Sequence, residues 1–150
     1  MLVNRLAVRI DWADCDPAGI VYYPRYFQMF DSSTHRLFEA AGWKKRDLLR
    51  EFGAAGYPMV DARARFIAPS SYGDEIVIET RVAQLRNSSF DVEHKAFKLE
   101  ESGERLAIEA WETRVWVGPH PDDPRRFKSR PIPPIVIARL SGQSETANGS

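Results

Sequence analysis

Two aspartates flank a cysteine at Asp14-Cys15-Asp16, directly ahead of Pro17-Ala18-Gly19-Ile20-Val21-Tyr22-Tyr23-Pro24. A carboxylate placed just before a helix start sits beside partial positive charge and free backbone N–H groups. Such N–H groups polarise a carbonyl, while the carboxylate serves as base or nucleophile. Together these are the two halves of a hydrolase site. Asp16 is the leading candidate for the carboxylate. The competing reading makes it a turn residue, because Asp bonds readily to nearby backbone around Pro and Gly. Asp14 is a weaker candidate that either assists acid–base work or faces solvent.

Other chemistries fit less well. An EF-hand loop begins D-x-D with Gly at its sixth place, which Gly19 matches, but Ala18 and Arg25 occupy ligand positions and exclude calcium. Cys15 is flanked by carboxylates that oppose thiolate formation, so it reads as a small half-buried residue. His35, His94 and His120 match no metal-ligand spacing and read as structural or exposed. There is no Gly-x-Ser-x-Gly elbow and no phosphate-cradling glycine loop. Basic residues cluster at Lys44-Lys45-Arg46, at Arg63 and Arg65, and at Arg125-Arg126 with Lys128 and Arg130. Each cluster is either a phosphate site or a solvated face.

The surrounding elements must position Asp16. A strand is predicted over residues 3–11. Pro17 and Gly19 break the chain over 14–23. Pro24 suits the first helical position, and Tyr26, Phe27, Phe30, Leu37, Phe38 and Ala41 recur at helical spacing as far as Gly42. A shorter helix is predicted within 43–52. Strands follow over 57–67, 75–85, 89–99 and 105–117, the last three joined by short breakers that suit hairpins. The expected order is strand, long helix, antiparallel meander. Such a sheet must bury the helix's apolar stripe on one face, and strands this long can curl around it. Residues 131–140 are expected to dock as a short segment. The domain is expected to span 1–140, with a disordered polar tail over 141–150.

Bulk composition agrees with one soluble domain. The 150 residues are 43% hydrophobic and 28% charged. The formal net charge of zero argues against a general nucleic-acid binder. One cysteine excludes an intrachain disulfide. Arg5, Arg9 and Asp11 interrupt the N-terminus before a signal-peptide core forms, and no apolar run approaches the roughly 20 residues of a membrane span. A cytoplasmic location without membrane contact is the expectation.

The segment from Asp14 to Phe27 resembles the signature of the hot-dog-fold acyl-CoA thioesterases, and among them the aspartate-dependent 4-hydroxybenzoyl-CoA thioesterase group. Tyr57-Pro58-Met59-Val60 is similar to that group's X-Pro-hydrophobic-Val segment. Phe66 with Ala68-Pro69-Ser70-Ser71-Tyr72-Gly73-Asp74 resembles its next strand and turn. The resemblance covers about residues 3–117. It implies an α+β hot-dog fold, a curled antiparallel sheet wrapped around one long helix. It also implies a homo-oligomer, dimer or tetramer, with subunits paired edge to edge and active sites at the interface. Asp16 matches the catalytic aspartate, and Tyr23 matches the residue whose backbone N–H polarises the thioester carbonyl. Substrate contacts are expected at Gly19, Asp31, Pro58, Asp61, Arg86 and Ser88. The implied reaction hydrolyses an aryl-CoA thioester to free acid and CoA, with no cofactor and no metal.

Two departures bear on specificity. Where the group carries consecutive basic residues for the CoA phosphates, this chain reads Arg86-Asn87-Ser88-Ser89. The phosphates then fall to Arg125, Arg126 or Lys128, or CoA binds more weakly, or the carrier is a protein-bound pantetheine. Asp61 stands where a small polar residue is expected. The alternatives are a short- or medium-chain aliphatic acyl-CoA thioesterase and a non-catalytic acyl-CoA or acyl-carrier binding protein. A hydratase on the same fold ranks low, because no His adjoins the Asp16 motif.

Overall fold

The apolar stripe forms one long helix, α1 (Tyr23–Ala41), which buries Tyr26, Phe30, Leu37, Phe38 and Ala41 against a sheet. These coordinates are a computed structural model, and they describe residues 1–143. Tyr22 is the N-cap, so α1 starts one residue before Pro24, which lies in the first turn. Gly42 ends it at φ +118°, a left-handed conformation that lets its N–H reach the Glu39 and Phe38 carbonyls.

The sheet contains β1 (Val3–Arg9), β2 (Met59–Phe66), β3 (Glu75–Leu85), β4 (Ser89–Glu100) and β5 (Gly103–Val115), in spatial order β1-β3-β4-β5-β2. All neighbours are antiparallel. This is the expected helix-in-sheet architecture, with one correction to the meander. Only β3, β4 and β5 follow one another as hairpins, and β2 lies on the far edge beside β5. Alternation along a strand specifies its faces and not its neighbour. A second helix, α2 (Lys45–Phe52), leads into β2. Every residue of β2 except Ala64 is exposed, and its outer backbone edge pairs with nothing in the described chain.

The segment after β5 holds more structure than expected. A small hairpin, β6 (Val117–Pro119) with β7 (Phe127–Ser129), precedes α3 (Pro134–Leu140). Its base is tied to the β3–β4 turn. Trp116 N–H donates to the Ser88 carbonyl at 2.7 Å, and Ile132 N–H donates to the Asn87 carbonyl at 2.8 Å. The predicted docking of 131–140 is realised by α3, which buries Val136 and Leu140. Residues 144–150 of the expected polar tail lie outside the described residues.

The core has two apolar clusters. One holds Leu37, Phe38, Phe90, Trp116 and Val136, and the other holds Ile10, Phe30, Ile76, Ile78 and Ile108. A belt of buried polar side chains accompanies them: Thr34, Thr80, His94, Glu112 and Arg114. No helix among the described residues is long and apolar enough to cross a membrane.

Candidate active site

Residues 14–22 fold back on themselves at the start of α1. The Asp16 N–H donates to the Ile20 carbonyl at 3.0 Å, and the Gly19 N–H donates to the Asp16 carbonyl at 2.9 Å. Cys15 pairs with Val21 in an antiparallel bridge, which sets Asp16 opposite Ile20, three residues ahead of Tyr23. Gly19 makes the reversal at φ +82°, a backbone state that disfavours other residues. The Asp16 Oδ1 accepts the Ala18 N–H at 2.8 Å, so the turn role is real. Its Oδ2 has no partner among the described residues. Asp14 is spent on structure: its Oδ2 accepts the Asp11 N–H at 2.9 Å, and its carbonyl accepts the Tyr22 N–H at 2.8 Å.

That last bond leaves the next donor free. Tyr23 N–H meets no acceptor among the described residues, Pro24 has no N–H, and Arg25 N–H is used by the Tyr22 carbonyl at 2.8 Å. The helix therefore opens with one unpaired N–H at its positive end. Beside it lies an open, largely apolar cavity of about 210 Å³, lined by Ile20, Tyr23, Tyr26, Phe66, Pro69 and Ser70 among others. The Tyr26 and Ser70 hydroxyls are buried without a hydrogen-bond partner. Burial raises the Tyr26 phenol above its ordinary pKa, with the neighbouring Ser70 acting against it.

Asp31 sits eight residues beyond Tyr23, about 12 Å up the helix axis. Its Oδ1 accepts Arg114 Nη2 at 2.7 Å, and its Oδ2 lies 3.4 Å from His35 Nε2. Arg114 Nε also donates to Glu112 Oε2 at 2.9 Å, while Glu112 Oε1 lies 3.2 Å from His94 Nε2. Burial pushes the Glu112 carboxyl up, but the His94 bond and charge, then Arg114, outweigh it and hold it at about 2. Glu112 and Arg114 went unnoticed in the sequence. The available signal was two charged residues at inward positions of a strand whose other inward residues are apolar.

The remaining candidates are not gathered around Asp16 within one chain. Val21 N–H bonds the Ser70 carbonyl and Ile10 N–H bonds the Asp74 carbonyl, so the Asp16 loop lies at the end of the sheet where β3 begins. Arg86 and Ser88 lie beyond the other end of β3, roughly 30 Å away for an extended strand of this length. Arg86 is engaged there by Asp91 at 3.0 and 2.5 Å. Pro58 is exposed, and its carbonyl accepts Val115 N–H at 3.0 Å. Asp61 pairs with Thr113 and faces the outer side of the sheet with Arg63 and Asp91, away from α1. Among the described residues, no group of three or more His, Cys, Asp or Glu could hold a metal ion.

The family model described as thioesterase-like superfamily matches residues 10–140. A 4-hydroxybenzoyl-CoA thioesterase of Pseudomonas sp. (strain CBS-3) is 33% identical over 137 residues, which are 89% of this chain and 94% of that protein. A crystal structure of a 4-hydroxybenzoyl CoA thioesterase carrying an aspartate-to-asparagine mutation, complexed with 4-hydroxybenzoyl CoA, matches with a TM-score of 0.86 at 30% identity. That match covers 93% of this chain and 99% of the other. A gentisyl-coenzyme A thioesterase structure matches with a TM-score of 0.75 at 30% identity, over 89% of this chain and 99% of its own.

Proposed function

We propose that this chain, which belongs to the thioesterase-like superfamily and is a thioester hydrolase, cleaves an aryl-CoA thioester to the free acid and CoA. The observation that carries this reading is the unpaired Tyr23 N–H at the positive end of α1, beside an aromatic-lined cavity and a carboxylate with one free oxygen. The substrate carbonyl lies over the helix start. Tyr23 N–H takes the negative charge that develops on its oxygen, a contribution of roughly 3–4 kcal/mol for one such donor.

Asp16 acts in one of two ways. As nucleophile, its carboxylate adds to the carbonyl carbon, the C–S bond breaks, CoA thiolate leaves, and water opens the resulting mixed anhydride. As general base, it takes a proton from the attacking water. Labelled oxygen from water entering the Asp16 side chain in a single turnover marks the first route. A label found only in the acid fits the second route, and equally a mixed anhydride that water opens at the substrate carbonyl.

Three features support the aryl and CoA assignments. Tyr23, Tyr26 and Phe66 line the cavity, and two of the similar proteins act on aryl-CoA esters. Asp31 supplies a carboxylate further along α1 for a ring substituent. The β6–β7 hairpin, whose base is tied to the β3–β4 turn, carries Lys128 on β7 and Arg125 and Arg126 just ahead of it, and we assign the CoA phosphates to it. The free β2 edge accounts for the distance between that turn and Asp16. Antiparallel pairing of two β2 edges sets the Met59 end of one copy against the Phe66 end of the other. A second copy's β3–β4 turn and hairpin then approach the Asp16 loop, which gives the homodimer a composite site.

The test is thiol release from benzoyl-, hydroxybenzoyl-, phenylacetyl- and aliphatic-CoA esters. Preference for an aryl ester supports the reading. Absence of turnover on all of them, or preference for aliphatic esters, removes the aryl assignment.

A further inference from the structure

We infer that Arg114 is a positioning residue that sets the substrate selectivity of this site: it fixes the Asp31 carboxylate as an anionic acceptor for a hydrogen-bond donor on the substrate's aryl ring. The inference rests on the aryl-thioesterase reading above and deepens it.

The geometry is a chain of charged groups with one exposed end. Arg114 and Glu112 side chains are 4% and 3% exposed, while Asp31 is 48% exposed. Inside, Glu112 is held from three directions: by Arg114 Nε, by the Thr34 hydroxyl at 3.0 Å and by His94 at 3.2 Å. His94 is in turn anchored by Thr80 at 2.7 Å and stacked on Phe30 with centroids 5.0 Å apart. The guanidinium lies over the Tyr57 ring at 5.7 Å. Its Nη2 then reaches out to Asp31 Oδ1 at 2.7 Å. A planar fork is needed to bond two carboxylates in different directions from one rigid group.

The second Asp31 oxygen faces the His35 Nε2–H across a long contact and keeps a lone pair for a ligand. His35 Nε2 approaches it at only 3.4 Å, while His35 Nδ1 is bonded to the Tyr57 hydroxyl at 2.7 Å. Burial raises the Tyr57 phenol and lowers the His35 imidazole, so the phenol donates and the ring is neutral. Asp31 therefore presents an oriented acceptor oxygen. A ring hydroxyl or amine satisfies it, a methoxy group offers no proton, and a ring carboxylate is repelled.

A purely structural reading makes Arg114 no more than the counterion of buried Glu112. The two readings separate on selectivity. The experiment measures kcat/KM for 4-hydroxybenzoyl-CoA and 4-methoxybenzoyl-CoA in wild type, Arg114→Lys, Asp31→Asn and the double variant. The hydroxy-to-methoxy ratio is expected to fall at least fivefold in Arg114→Lys, about as far in Asp31→Asn, and no further in the double variant. An unchanged ratio, an equal loss on both esters, or losses that multiply in the double variant overturns the inference. Should Arg114→Lys not fold, Asp31→Glu replaces it, since it keeps the charge but moves the exposed carboxylate out of register with the guanidinium. A retained ratio there also overturns the inference. Wild type that hydrolyses neither ester overturns the aryl reading itself. Wild type that hydrolyses both alike overturns only the role of Asp31 and Arg114.

Discussion

The Tyr22 N–H donates to the Asp14 carbonyl at 2.8 Å, and this bond decides which donor α1 presents. With Tyr22 occupied and Pro24 lacking an N–H, Tyr23 alone carries the exposed dipole end. The same bond closes the loop that carries Asp16. Asp14 is thus a structural partner of the site, although its carboxylate is consumed by Asp11.

Asp16→Asn separates the two roles of this side chain. The amide oxygen still accepts the Ala18 N–H, so the turn survives, but the charge is gone. Turnover is expected to fall roughly 10²–10⁴-fold. The thermal midpoint is expected to stay within a degree or two of wild type. A variant as fast as wild type removes Asp16 from the chemistry.

Gly19→Ala probes the reversal itself. An added Cβ meets nothing within 4 Å, so the whole cost comes from the backbone at φ +82°. Destabilisation of about 1–2 kcal/mol is expected by chemical denaturation. Turnover should fall with it, because the loop sets Asp16 against Tyr23. Full activity in a destabilised variant shows that the reversal positions nothing.

Glu112 gives the protein an acid limb. Its folded carboxyl, at about 2, lies below the ordinary 4.5. The stability it contributes is complete above 4.5 and is lost as pH falls toward 2. Glu112→Gln removes that limb and leaves Arg114 buried with half its partners. A loss of about 3–5 kcal/mol at neutral pH follows, with a flatter pH dependence below 4.5. Urea titrations at pH 3, 5 and 7 measure both.

The hairpin assignment predicts a nucleotide-specific effect. Arg126→Ala with Lys128→Ala should raise KM for an acyl-CoA several-fold and weaken its salt dependence. The same acyl group on pantetheine, which lacks the nucleotide phosphates, should show no change. Equal effects on both carriers place the CoA phosphates elsewhere.

The open β2 edge predicts a dimer in sedimentation. Ala64→Lys, a charge on that strand's inner side, is expected to weaken association and turnover together. A fully active monomer sinks the composite site.

Much of this was legible before the structure. The bounds of α1, β3 and β4 follow from apolar periodicity, because each buries one face against a single large surface. The Asp16 loop was legible because Pro and Gly mark reversals locally. The crossover of β2 was not, since nothing in an alternating strand names its neighbour. The β6–β7 hairpin was hidden too: its strands are three residues long, and backbone bonds to Asn87 and Ser88 hold its base. Asp61 has the chemistry of a ligand contact, but its register with Thr113 turns it outward.

The polar belt across β3, β4 and β5 has a consequence for how the chain finds its fold. Hydrophobic alternation alone tolerates a slip of two residues between neighbouring strands, because the same face stays inward. In the native register Glu112 lies opposite Val92 and diagonal to His94, whose ring nitrogen it meets at 3.2 Å, and a slip of two that sets Phe90 opposite Glu112 carries that imidazole away. Thr80 opposite His94, and His94 diagonal to Glu112, thus tie β3, β4 and β5 to one another through polar partners as well as through apolar faces. A chain assembled out of step in that sense leaves a buried carboxylate short of a partner, a cost that an all-apolar belt would not impose.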